Sequence, residues 1–114
     1  MKQADIRAFV EPWPGVGSDV KWGHDLVFSI AGKMFCAMEA SGAEGLSFKV
    51  EPERFLELTD RPGIMPTPYL ARAQWVRVVN MRLVQDKELK LLIRRSYELV
   101  RGRLAKKMQR ELAD

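Results

Sequence analysis

Seven residues carry side chains suited to holding a polyanion: the cations Lys33, Lys49, Arg61, Arg72 and Arg77, and the rings of Phe35 and Trp75. Cations neutralise phosphates and release counterions, while exposed rings stack on unpaired bases at about 1–3 kcal/mol each. Strand parity groups five of them. If Leu46, Phe48 and Val50 face a core, Ser47 and Lys49 face outward, and the open sheet face shows Lys33, Phe35, Lys49, Trp75 and Arg77. Arg61 and Arg72 flank a proline-rich loop, and Lys21, His24 and Lys33 fall near hairpin ends. Loops held by a firm scaffold are frequent binding sites. The competing reading has Phe35 and Trp75 covering an apolar patch beneath the proline-rich loop, with the cations merely solubilising the surface.

His24, the only histidine, sits between Gly23 and Asp25. An Asp-paired imidazole could act as acid or base near neutral pH. Adjacent strand residues point to opposite faces, however, so a ligand or hydrogen-bonding use is expected of His24 before a catalytic one. The lone Cys36 lies in the apolar run M-F-C-A-M and reads as a buried thiol packed as a small hydrophobe. One His and one Cys cannot assemble an ordinary zinc site, and no nucleophile motif, P-loop or G-x-G-x-x-G pattern is present. The expectation is therefore no catalytic residue, no cofactor and no metal.

The elements that must position these residues follow from periodicity. Lys2 to Glu11 reads as a short amphipathic helix with Ile6, Phe9 and Val10 inward, closed by Pro12. After Trp13-Pro14-Gly15 come three antiparallel strands, Val20 to Trp22, Leu26 to Ala31 and Lys33 to Glu39, the last two joined tightly through Gly32. Ser41 to Gly45 is a flexible turn, and Leu46 to Val50 alternates as a strand. Glu51 to Leu58 is a brief helix with Pro52 near its start. Arg61 to Pro68 holds three prolines and a glycine, which forces a rigid, extended loop. Trp75 to Asn80 is a further strand with Val76 and Val78 inward. From Asp86 a long helix carries Leu89, Ile93, Tyr97, Val100, Leu104 and Met108 at three- and four-residue spacings, with Gly102 marking a bend or fraying.

Composition bounds the rest. The chain has 114 residues, 46% of them hydrophobic, enough for one core and hence a single domain over 1–114. No apolar run approaches the roughly 20 residues that span a bilayer, and charges stand near the N-terminus where a signal peptide needs apolar residues. A cytoplasmic protein without a membrane partner is expected. Residues 1–70 hold 7 Lys and Arg against 10 Asp and Glu, a net of −3, and residues 71–114 hold 12 against 5, a net of +7. That asymmetry points to a polyanionic partner, although part of the charge must line the solvent side of the terminal helix.

Several segments also form a recognisable pattern: P-W-P-G at 12–15, W-G-H-D-L-V-F at 22–28, G-K-M-F at 32–35, P-E-R-F at 52–55, R-P-G-I-M-P-T-P-Y-L-A-R-A-Q-W-V at 61–76 and R-R-S-Y-E-L-V-R at 94–101. In that order they resemble the MmcQ/YjbR family. The resemblance implies a CyaY-like α+β fold, an antiparallel sheet covered on one face by an N-terminal and a long C-terminal helix, and DNA binding through a double-wing arrangement. It does not extend to frataxin-type iron binding, because the first helix balances Asp5 and Glu11 against Lys2 and Arg7. The expected protein is a small, non-enzymatic DNA-binding module of low specificity, monomeric or weakly dimeric, that contacts the phosphate backbone. The alternative is a protein-interaction or small-ligand domain whose aromatic face and proline-rich loop form a pocket.

Overall fold

Antiparallel pairing organises the chain in the computed structural model, which describes residues 1–41 and 45–112. Helix α1 (Gln3–Val10) leads into strands β1 (Val16–Lys21), β2 (Asp25–Ile30), β3 (Lys33–Glu39) and β4 (Leu46–Lys49). Helix α2 (Pro52–Thr59), strand β5 (Ile64–Pro66) and strand β6 (Trp75–Val78) follow, then helices α3 (Asp86–Arg101) and α4 (Lys106–Glu111). The six strands lie in the order β1-β2-β3-β4-β6-β5, every pair antiparallel. The fold is α+β. The turn read at Ser41 to Gly45 falls largely outside the described residues.

One face of the sheet carries the core. Leu26, Phe28, Cys36, Met38, Leu46, Phe48, Val76 and Val78 are buried there against Ile6 and Val10 of α1 and Leu89, Leu92, Ile93, Tyr97 and Val100 of α3. Phe9 and Trp13 pack at its margin. Cys36 is buried as expected, and loss of solvation pushes its thiol pKa far up, so it is no nucleophile.

A β-bulge breaks the expected alternation. Phe28 pairs with Cys36 but Ser29 pairs with Met34, which leaves Phe35 as the extra residue of β3. The bulge turns Phe35 and Cys36 to the same side, and both are fully buried. Phe35 therefore belongs to the core and not to the open face. Its ring meets Tyr97 edge-on at 5.4 Å and lies 6.2 Å from Trp13.

Helix α3 also completes the sheet. Pairing between β3 and β4 covers Cys36 with Phe48 and Ala37 with Ser47. Beyond it, the buried Ser96 hydroxyl donates to the Phe35 carbonyl (2.7 Å) and accepts from the Lys49 amide (2.9 Å). One residue on, the Tyr97 hydroxyl donates to the Pro14 carbonyl (2.7 Å), and the Arg94 guanidinium lies 4.9 Å from the Trp13 ring and 4.8 Å from the Tyr97 ring. The segments P-W-P-G and R-R-S-Y-E-L-V-R thus meet in one packing cluster.

Boundaries differ most from expectation in three places. Strand β1 starts four residues earlier and stops at Lys21, so Trp22 sits in the β1–β2 turn at φ 53° with 67% of its surface exposed. The proline-rich segment contributes a three-residue edge strand, β5, and then a 3₁₀ turn at Ala71–Ala73. The terminal helix ends at Arg101; Gly102 caps it, and the chain folds back so that Leu104 and Leu112 rest on the core. A Cβ at Gly15 would lie 2.7 Å from Leu112, which places the end of α4 against the P-W-P-G turn.

Candidate functional site

Strand directions divide the molecule into two ends. Lys21, Asp25, Glu39 and Val78 mark the upper end; Lys33, Lys49, Trp75 and Pro66 mark the lower. Helix α3 begins at the upper end, where Asp86 meets the N-terminal amine (3.1 Å) and Glu88 meets Arg61, and it runs down past Ser96 beside Phe35 and Lys49. Its C-terminus and α4 therefore lie at the lower end, as does the chain between β5 and β6.

The lower end gathers cations from three separate segments. Lys33 is exposed at the β2–β3 hairpin, whose central residues Ala31 (φ 49°) and Gly32 (φ 80°) both take the left-handed conformation such a tight turn demands. Arg72 is exposed on the 3₁₀ turn. Arg103, Lys106, Lys107 and Arg110 are exposed in and before α4. Lys49 closes this arc from below the surface. It is only 8% exposed, and its Nζ donates to the Ala73 carbonyl. Burial, and then the charge of Arg103, lower its pKa.

Two acidic groups near this arc are already engaged, while Glu53 and Glu111 are exposed at its margin. Arg95 holds Glu51 (3.2 Å), and Arg94 and Arg95 share Glu98 (3.5 and 3.6 Å). Among the described residues, none of Lys33, Arg72, Arg103, Lys106, Lys107 and Arg110 forms an ion pair.

The expected aromatic and cationic sheet face is not assembled. Phe35 lies in the core, and Lys49 and Trp75 are buried although parity puts them on the open side. The cause is the loop between β5 and β6. Thr67 N–H donates to the Trp75 carbonyl (3.0 Å), Trp75 N–H donates to the Leu70 carbonyl (3.2 Å), and Lys49 holds Ala73, so the loop wraps the strand ends and shuts Trp75 in at 4% exposure. Arg77 is half-buried higher on that face, its Nε 3.4 Å from the Ser47 hydroxyl. A shallow depression of about 300 Å³ lies along β1 and β2, lined by Gly17, Asp19, Lys21, Ser29 and Gly32.

Arg61 and His24 sit at the upper end, away from the arc. Arg61 makes a two-pronged ion pair with Glu88 (2.9 Å for each prong), and that hydrogen bonding raises the guanidinium pKa and lowers the carboxyl. His24 Nδ1 lies 3.0 Å from Asp25 Oδ1 on an exposed turn. Among the described residues no three His, Cys, Asp or Glu side chains gather as metal ligands, and no helix is long and apolar enough to cross a membrane.

The basic residues Arg103, Lys106, Lys107 and Arg110 lie beyond the break at Gly102, in the segment that leaves the long helix and forms α4. Tyr69 was missed altogether. It is wholly exposed on the lower loop at φ 66°, and no periodic pattern marks such a residue.

The fold agrees with the comparisons to known proteins. The YjbR family model matches residues 12–99, and the chain belongs to the YjbR family. Protein DR2400 of Deinococcus radiodurans, described by its domain DUF419, is similar to it in solved structure with a TM-score of 0.87 at 28% identity, over 96% of this chain and 86% of that one. A Pseudomonas syringae protein shares the fold with a TM-score of 0.72 at 20% identity, over 88% of this chain and 99% of that one. No curated protein matches the chain.

Proposed function

We propose that this protein is a small, non-enzymatic nucleic-acid-binding module that takes the phosphate backbone of DNA against its lower end. The observation that carries the reading is the convergence of Lys33, Arg72, Arg103, Lys106, Lys107 and Arg110 from three segments, with no carboxylate paired to any of them among the described residues. Six exposed cations gathered at one end, outnumbering the exposed Glu111 of α4, raise the local concentration of an anionic partner. Long, exposed side chains suit phosphates, which position a protein without reading sequence; low specificity follows. Arg77 and the buried Lys49 support this surface and do not line it, and Arg61, tied to Glu88, stands apart from it.

Salt titration of binding is the test. Affinity for duplex DNA should fall with salt with a log–log slope of about 0.9 per phosphate neutralised. The variants Arg72→Ala, Arg103→Ala and the double variant Lys106→Ala/Lys107→Ala should each weaken binding and flatten that slope. Affinity indifferent to salt, or to all of these variants, would remove the lower end from the function.

A further inference from the structure

Within the reading just given, we infer that Tyr69 is a stacking platform for an unpaired base, which makes single-stranded nucleic acid the preferred partner of the lower end. Three observations converge on this residue. Its ring is wholly exposed, so it contributes nothing to the core. Its backbone holds the left-handed conformation (φ 66°), which costs an L-residue energy and persists only where neighbouring structure imposes it. And the loop that imposes it is tied down on both sides: Leu70 N–H donates to the Thr67 carbonyl (3.1 Å), Thr67 N–H to the Trp75 carbonyl, Ala73 N–H to the Leu70 carbonyl (3.1 Å), and Lys49 Nζ to the Ala73 carbonyl. Pro66 and Pro68 further restrict the approach to Tyr69.

A ring presented this way has already lost much of the freedom that binding would otherwise cost it. Its surroundings choose the ligand. Arg72 follows three residues later on the same loop, and Arg103 lies near the buried amine that holds the loop's Ala73 carbonyl, so exposed cations flank the ring as they do where single strands are held by stacking and backbone contacts together. Trp22 is the instructive contrast. It too is exposed at positive φ, but it sits at the upper end, where Lys21 stands opposite Asp25 and Asp25 is paired with Glu39, so positive charge is offset. In a duplex the bases are stacked on one another and closed to Tyr69; in a single strand they are open to it.

The experiment uses the whole chain with three probes of equal length: fluorescein-labelled oligothymidylate, the same backbone carrying abasic sites, and a blunt duplex, each followed by anisotropy at low salt. Tyr69→Ala should weaken binding of oligothymidylate by about 5- to 100-fold, leave the abasic strand and the duplex within about twofold, and leave the unfolding midpoint unchanged. Tyr69→Phe and Tyr69→Trp should retain the affinity. If Arg72→Ala and Arg103→Ala weaken all probes while Tyr69→Ala changes none, the stacking role is overturned and phosphate binding stands. If Tyr69→Ala weakens all three probes alike, it acts on the loop and the inference also falls. If the unaltered protein binds no probe, both readings fall together.

Discussion

Ser96, on the long helix, donates its hydroxyl proton to the carbonyl of Phe35, on the sheet, across 2.7 Å. The same oxygen receives the Lys49 amide, so one side chain satisfies both groups that the end of β3–β4 pairing would orphan. An orphaned buried backbone group costs about 1–3 kcal/mol. Ser96→Ala should therefore destabilise the protein by at least about 2 kcal/mol in urea unfolding, and a loss under about 0.5 kcal/mol would show that water or a rearranged strand takes over.

Lys49 makes stability depend on pH at the alkaline end. Its pKa is lowered in the folded chain from the ordinary 10.5, chiefly by burial and then by Arg103. Below the native value both states hold the proton and the fold bears the cost of a desolvated charge. Between the native value and 10.5 the unfolded chain holds the proton that the folded one has lost, so stability rises with pH. Urea midpoints of the unaltered protein, referred to those of Lys49→Met, should climb through that window; a flat difference would mean the amine is solvated.

The Arg61–Glu88 pair has the opposite sense. Hydrogen bonding from Arg61 lowers the Glu88 pKa below 4.5, so its stabilisation is present above 4.5 and is lost as pH falls through the native value. Each side chain is 37% exposed, so screening limits the pair to below about 1 kcal/mol. The stability difference between the unaltered protein and Glu88→Gln should be constant at neutral pH and shrink below 4.5. A difference that grew on acidification would assign the pair the wrong sign.

The two tryptophans Trp22 and Trp75 should respond differently to truncation. Trp75→Ala removes a buried ring and should cost about 3–5 kcal/mol. Trp22→Ala removes an exposed one and should fall within about 0.5 kcal/mol. Chemical denaturation of both variants decides the matter, and comparable losses would place Trp22 in a packed site.

Much of this was legible in the chain. The helix at α1, the hairpin β2–β3 and the stripe Leu89, Ile93, Tyr97 and Val100 announce themselves because one face of each is apolar at the proper period. The site was not legible in the same way. Alternation assigns Phe35 to the open face because a period of two has no symbol for a bulge. It assigns Lys49 and Trp75 outward correctly, yet they are covered, since burial there comes from a loop hydrogen-bonded back through Thr67, Leu70 and Ala73. Charge asymmetry did point to the second half of the chain, but only the turn at Gly102 decides that the last cations meet Arg72 and Lys33 at one end.

The extra residue at Phe35 acts as a phase shifter. Below it, Lys33 pairs with the core residue Ile30 and so emerges on the helix side of the sheet, toward α4. Deleting Phe35 would restore strict alternation with Cys36 opposite Phe28, Met34 opposite Ser29 and Lys33 still opposite Ile30, so the hairpin tip would keep its facing and only the core would lose a ring. The bulge thus seats one more ring in the core while the charged hairpin tip keeps the facing that its partner strand dictates.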